Sequence, residues 1–200
     1  MASDGSELRR KILDASIALV AEQGVRAVSF REVARRAGVS HQTPYHHFGN
    51  HLGILYAIAQ EGFRDLTAAM TAAAQKSGAD GNAALRAAGI AYVTFARKHV
   101  GHFRVMFQRT LVDSREGQVS MEEADCTYQT LVGLATEAHR QGAGRGLSAK
   151  SLSHLAWSTV HGLATLLVDG PLSAKTAQAK TEDALVREVV GALSHLLEAE

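Results

Sequence analysis

Three consecutive polar residues, His41, Gln42 and Thr43, carry the most specific chemistry in this sequence. The Gln42 carboxamide offers a donor and an acceptor side by side, the pattern that matches the N6 and N7 edge of adenine. A Thr methyl can meet a thymine methyl, and its hydroxyl can bond a base or a phosphate. Side chains of this kind read bases only when held at the exposed start of a short helix that fits the major groove.

The neighbouring residues supply that frame. Ser29 can cap a first short helix, and Glu32, three residues on, completes a capping box in which each side chain satisfies an orphan backbone N–H. Phe30, Val33, Ala34 and Ala37 form the apolar face of this helix. Gly38 ends it, because glycine takes the left-handed conformation of a helix C′ position without steric cost, and Val39 fills the turn. Ser40 then caps a second helix, expected to hide its Tyr45 and Phe48 end and to leave His41, Gln42 and Thr43 on the first turn. Pro44, at the fourth position of that helix, removes a backbone N–H and pushes Thr43 away from the α region, so a distorted start is expected. Two short helices about a glycine turn over residues 29–48 make a helix-turn-helix.

The rest of the chain also reads as helix. Its 200 residues are 46% hydrophobic with only two prolines, and no alternating run has convincing strand length, which points to an all-α fold. A bracing helix is expected over residues 7–23, with Leu8, Ile12, Ala15 and Leu19 as its buried stripe and Gly24 as its stop. Asn50 caps a long fourth helix that ends near Gly78. Further helices are expected over 83–98, 102–109, 119–141, 148–167 and 182–198, about nine in all. Gly101, residues 112–118, residues 142–146 and the segment 169–180 separate them.

Net charge is +1, which excludes coating of nucleic acid by bulk electrostatics. Residues 1–50 carry seven Lys or Arg against five Asp or Glu, and the remainder fourteen against fifteen. Arg9, Arg10, Lys11, Arg26, Arg31, Arg35 and Arg36 can form a local basic rim, with His41, His46 and His47 adding charge when protonated. No apolar run reaches the ~18 residues of a membrane span, and the first residues lack signal-peptide character, so a cytoplasmic protein without a membrane partner is expected.

Other chemistries lack their residues. His46, His47 and His51 straddle a helix end, and His99 with His102 has no Asp, Glu or Cys ligand at metal spacing, so no metal site is assigned. Cys126 is the only cysteine, which rules out an internal disulfide, and it reads as a buried core thiol. With no Gly-rich phosphate loop and no nucleophile elbow, neither an enzyme nor a cofactor is expected.

The run from Arg9 to Phe63 resembles the DNA-binding domain of the TetR (tetracycline repressor) family. The resemblance lies in Ala21-Glu22-Gln23-Gly24 closing the first helix, in Val33 to Ser40, and in Tyr45-His46-His47-Phe48 before a long helix. It implies a three-helix helix-turn-helix domain over residues 6–66, with the motif at 29–48, and a helical ligand-binding and dimerisation domain over 67–200. By that likeness Gln42 and Thr43 read bases, assisted by His41 and Arg31, Tyr45 and His46 hold phosphates, and Ser29 joins the DNA-facing set. His51 stands where the family usually has a phosphate-contacting Lys, and Leu52 where a Glu is common.

In the second half, Trp157-Ser158-Thr159-Val160-His161-Gly162 resembles the Trp-x-x-x-His-Gly signature of a TetR subgroup. Tyr92, His99, Phe103, Met106, Phe107, Tyr128, Trp157 and His161 are candidates to line a pocket for an unidentified small-molecule effector. Dense apolar faces on the last two helices imply pairing with a second copy about a two-fold axis, as the family does. The expectation is a homodimeric transcriptional repressor released from a near-palindromic double-stranded DNA operator by its effector. The alternative is a small-molecule carrier or interaction scaffold whose helix-turn-helix no longer binds DNA.

Overall fold

The computed structural model describes residues 2–108, 122–172 and 179–198. Helix α1 spans Ala2–Gln23 and is followed by a 3-10 turn, Val25–Ala27. Then come α2 (Phe30–Ala37), α3 (Thr43–Phe48), α4 (His51–Gln75), α5 (Gly81–Lys98), α6 (Val100–Met106), α7 (Glu122–Arg140), α8 (Ala149–Val168) and α9 (Ala179–Glu198). No strand occurs among the described residues, as an all-α sequence requires. The loop expected at 112–118, the helix start expected at 119 and residues 173–178 of the last connection lie outside the described residues.

Contacts divide the chain into two compact units, one formed by residues up to Phe63 with the segment beginning at His99, the other by Arg64–Lys98 and Glu122–Glu200. In the first unit Ile12, Leu19, Val20, Val33, Ile54, Leu55 and Ile58 are fully buried, so α1 braces α2 and the start of α4 from its apolar side. Ser16 faces the same core and satisfies its hydroxyl on the Ile12 carbonyl at 2.8 Å.

Helix α6 packs on α1, and Gly101 lies inside it, where the sequence pattern suggests a break. A β-carbon at residue 101 would stand 2.4 Å from the Ile17 carbonyl oxygen, so the glycine is there because the two backbones touch. Three residues on, the Arg104 guanidinium donates to the Ala21 carbonyl at 2.9 Å. That bond satisfies an orphan acceptor in the last turn of α1 and puts a cation at the negative end of the helix.

In the second unit α5 packs against α7, α8 and α9. Val93, Ala96, Leu152, Ala164 and Val186 fill the space between them. Asp80 caps α5 through the Ala83 N–H at 2.9 Å, which starts the helix two residues earlier than periodicity indicates. Ser148 caps α8 through the Ser151 N–H at 3.0 Å. Arg97 ties α5 to α9 by donating to Glu182 at 2.8 Å and by pairing with Asp183. Cys126, read as a core thiol, is instead exposed on α7.

Candidate nucleic-acid interface

The turn between α2 and α3 is built as its residues dictate. Ser29 is extended at the N-cap and its hydroxyl accepts from the Glu32 N–H at 3.3 Å. The Glu32 carboxylate takes two bonds from Arg35, at 2.7 and 2.8 Å, and one from Arg36 at 3.0 Å, where a reciprocal capping box would aim it at the Ser29 backbone. These bonds, Arg35 first and Arg36 second, hold the Glu32 carboxyl down to about 2. Gly38 has φ 67 and ψ 34, the left-handed conformation. The Val39 N–H reaches back to the Ala34 carbonyl at 3.0 Å, which is the six-to-one bond of a Schellman turn.

Helix α3 begins at Thr43, with Gln42 at the cap position in right-handed helical conformation, so the cap expected at Ser40 is displaced by two residues. Pro44 is the cause. It has no N–H to give the Ser40 carbonyl, and the Thr43 N–H takes that acceptor instead, at 3.0 Å, in a tighter turn. The Ser40 hydroxyl bonds the Thr43 hydroxyl at 2.7 Å. Pro44 thereby sits in the first turn of the helix, where a missing N–H costs nothing, and the expected distortion becomes a shorter helix.

His41 and Gln42 are exposed, Thr43 is partly exposed, and the Gln42 side chain makes no cap bond. Tyr45 is not hidden as expected: it is 46% exposed, with its ring edge-on to Phe30 at 4.5 Å between centroids. The ring thus contacts Phe30 of α2 while the residue stays open to solvent. Arg31, His46 and His51 are exposed as well, and Phe48 is buried.

Much of the expected basic rim is neutralised internally. Arg36 donates to Glu22 at 2.7 Å in addition to Glu32, Lys11 pairs with Glu7 at 3.0 Å, and Arg10 bonds Asp14 and Glu61. Arg9 lies over the Phe48 ring at 4.8 Å. Arg26 and Arg31 are exposed and take no part in these pairs.

The corner joining α3 to α4 rests on a residue that the motif reading passes over. Asn50 caps α4 by accepting the Gly53 N–H at 2.9 Å. A β-carbon on Gly53 would lie 2.0 Å from the Phe48 carbonyl oxygen. Its sequence signal is a glycine in the first turn of a strongly periodic helix, where only close backbone approach explains it.

The candidate effector residues fall into two clusters, one in each unit. In the second unit the Tyr92 hydroxyl lies 2.8 Å from His161 Nδ1 and also bonds the Trp157 side chain, whose indole N–H can only donate. Trp157 stacks obliquely on Tyr128 at 6.0 Å, and the Tyr128 hydroxyl lies 3.1 Å from His154 Nε2. Burial pushes the Tyr92 phenol well above its usual range and the His161 imidazole below its own, so both are uncharged at neutral pH.

In the first unit Phe107 packs edge-on against Phe63 and Phe103, each at 5.5 Å, and Met106 lies over Gly62. His99 is exposed beside this group, 5.8 Å from the ring of the buried His102. His102 and Glu61 are absent from the candidate set, yet His102 Nε2 lies 3.0 Å from the Glu61 carboxylate. Burial pushes the Glu61 carboxyl up, and the bonds from Arg10 and His102 outweigh it, holding the group below the usual carboxylate range. Forty-one residues separate the pair, so no local pattern announces it. Among the described residues no group of three or more His, Cys, Asp or Glu is placed to hold a metal ion.

Sequence comparison places this architecture. Residues 12–58 match the family model described as bacterial regulatory proteins, tetR family, and residues 85–193 match the tetracyclin repressor-like C-terminal domain. A solved structure of a protein of unknown function from Rhodococcus sp. RHA1 is 29% identical, with a TM-score of 0.78 and coverage of 96% of both chains. The HTH-type transcriptional regulator SrpR of Pseudomonas putida is 35% identical over 57 residues, 28% of this chain and 27% of that protein. The HTH-type transcriptional activator FasR of Mycolicibacterium smegmatis is 28% identical over 123 residues, 60% of this chain and 56% of that protein. The chain thus spans between about a quarter and just over half of these two curated relatives. Since the C-terminal model alone covers more than half of its length, the chain belongs to the TetR family of transcriptional regulators.

Proposed function

We propose that the protein is a homodimeric, effector-responsive repressor that binds a near-palindromic operator in the cytoplasm. The observation that carries this reading is the Gln42 side chain, exposed at the head of α3 and uncommitted to capping it. In this reading Gln42 and Thr43 contact base edges, His41 and Arg31 assist, and Tyr45, His46 and His51 bind phosphates at the rim, with Ser29 at the start of α2. Residues 6–66 then act as the DNA-binding domain and 67–200 as the domain that senses and dimerises.

Two further features support the dimer. Leu155 and Leu166 on α8 and Leu196 on α9 are exposed large apolar side chains, while Leu152, Leu163, Leu167 and Leu197 point into the protomer. Gly162 lies on the α8 stripe with Leu155 and Leu166, and nothing stands within 4 Å of where its β-carbon would be, so a second helix can approach closely there. Pairing α8 and α9 with their copies would place two recognition helices about one DNA turn, ~34 Å, apart or somewhat more.

The two aromatic clusters support effector binding, with Trp157 and His161 among the candidate lining residues and His161 bonded to the Tyr92 hydroxyl. The effector would favour a dimer whose recognition helices no longer match the operator spacing, by its difference in affinity for the two states. A gel-shift with the upstream region of the protein's own gene, at stated salt and with competitor DNA, tests the reading. Retardation that survives competitor supports it. Binding no better than to random DNA would overturn it in favour of a carrier or scaffold.

A further inference from the structure

His102 is the one described residue whose buried side chain leaves a nitrogen without a partner. It is 7% exposed, its Nε2 lies 3.0 Å from Glu61 Oε1, and its Nδ1 has no hydrogen-bonding atom in reach among the described residues. The Glu61 carboxylate also accepts from Arg10, at 3.2 Å in one of its two bonds. An ionised carboxylate only accepts, so the imidazole nitrogen facing it must carry the proton. In a neutral ring the other nitrogen is then a bare lone pair, aimed away from Glu61. A buried acceptor in that condition favours any molecule that brings it an O–H or N–H.

The surroundings define the rest of such a molecule. His102 and Met106, one turn apart on α6, both lie over Gly62, where a β-carbon would meet Met106 Sδ at 2.7 Å and His102 Cβ at 3.1 Å. Phe63 and Phe103 are buried beside them and Phe107 joins the two rings edge-on. Met106 and these three rings are apolar, and the polar neighbours of His102 are Glu61 and the exposed His99, whose ring lies 5.8 Å away.

We propose that His102 anchors the effector, with Glu61 holding Nε2–H so that Nδ1 accepts a hydroxyl or N–H from an otherwise apolar, uncharged molecule seated by Met106 and the Phe63, Phe103 and Phe107 rings. This rests on the effector-responsive reading and names the chemistry of the effector within it. The same ring joins α6, through Glu61, to Arg10 on α1, the helix that braces α2. A donor arriving at Nδ1 therefore acts one side chain away from the DNA-binding module.

The test uses the full-length protein and three probes of one shape: 2-naphthol, its methyl ether and 2-naphthoate, with binding followed by calorimetry. The wild-type protein is expected to prefer the naphthol over the ether by about ten-fold or more. His102→Asn sets an amide group near the Nδ1 position and gives up Glu61, and it retains that preference. His102→Gln sets its amide near the Nε2 position, keeps Glu61 and loses the preference, with unchanged melting as the check on folding. Nitrogen-15 spectra, which need no variant, should show Nδ1 unprotonated in the free protein and shifted by the naphthol.

Equal binding of naphthol and ether, no binding of either, a preference for the naphthoate, or a protonated Nδ1 each overturns the assignment. Failure of the repressor reading would show separately, as absence of operator binding by the probe-free protein.

Discussion

Gly53 lies so close under Phe48 that a β-carbon on it would stand 2.0 Å from the Phe48 carbonyl oxygen. The end of α3 and the start of α4 meet there as bare backbone, and Asn50 fixes the corner by capping α4 through the Gly53 N–H. Gly53→Ala forces the helices apart and should destabilise the protein by about 1–3 kcal/mol, as overpacking does. The control is Gly133→Ala on α7, where nothing lies within 4 Å and helix propensity should give a gain of about 0.5–1 kcal/mol. Thermal unfolding of both variants checks the pair, and a neutral Gly53→Ala would refute the close approach.

If Gln42 reads a base as proposed, Gln42→Ala should cost about 1–3 kcal/mol on the native operator and relax one base position, because the exposed side chain carries no packing. Tyr45→Phe keeps the ring on Phe30 and loses only the hydroxyl, so it should weaken specific and random DNA alike. Titrations against the operator and a scrambled duplex at one salt concentration separate the two effects. Equal losses on both duplexes for both variants would remove the division between reading and anchoring.

The helix-turn-helix was legible because its signals are local: a Ser cap at 29, a left-handed glycine at 38 and an Asn cap at 50 each act within four residues. Its misreadings came from competition at the same range. A Ser40 cap is outranked by Pro44, which cannot donate to the Ser40 carbonyl, and Tyr45 meets the Phe30 ring yet stays 46% exposed, a partial contact that an apolar pattern does not distinguish from burial. Gly101 read as a break because sequence does not reveal that α6 lies against Ile17. The Glu61–His102 pair was illegible for the same reason, since tertiary folding alone brings α4 and α6 together.

Glu61 also predicts a pH dependence. Its folded-state carboxyl is held below the ordinary value near 4.5, so its bonds to Arg10 and His102 stabilise the fold above that value and are lost as pH falls through the folded one. Glu61→Gln should therefore melt lower than the wild type at neutral pH, with the gap narrowing as pH drops below the ordinary carboxylate value. Melting curves across this range check it. A gap that stays constant would mean the carboxylate charge contributes nothing to α6 docking.

Leu166 is 47% exposed on α8 and Leu196 is 76% exposed on α9, a degree of exposure that helices covered by a second copy would remove. Because neither side chain is part of the protomer's own core, Leu166→Glu combined with Leu196→Glu should leave each protomer folded. Two carboxylates per protomer facing their copies across a desolvated two-fold interface should shift the protein from dimer to monomer. Operator affinity should then fall steeply, since a single recognition helix forfeits the second half-site while each α3 keeps its own contacts. Sedimentation and gel-shift on the same samples distinguish the causes. A double variant that remains dimeric and binds the operator normally would show that another face pairs the protomers.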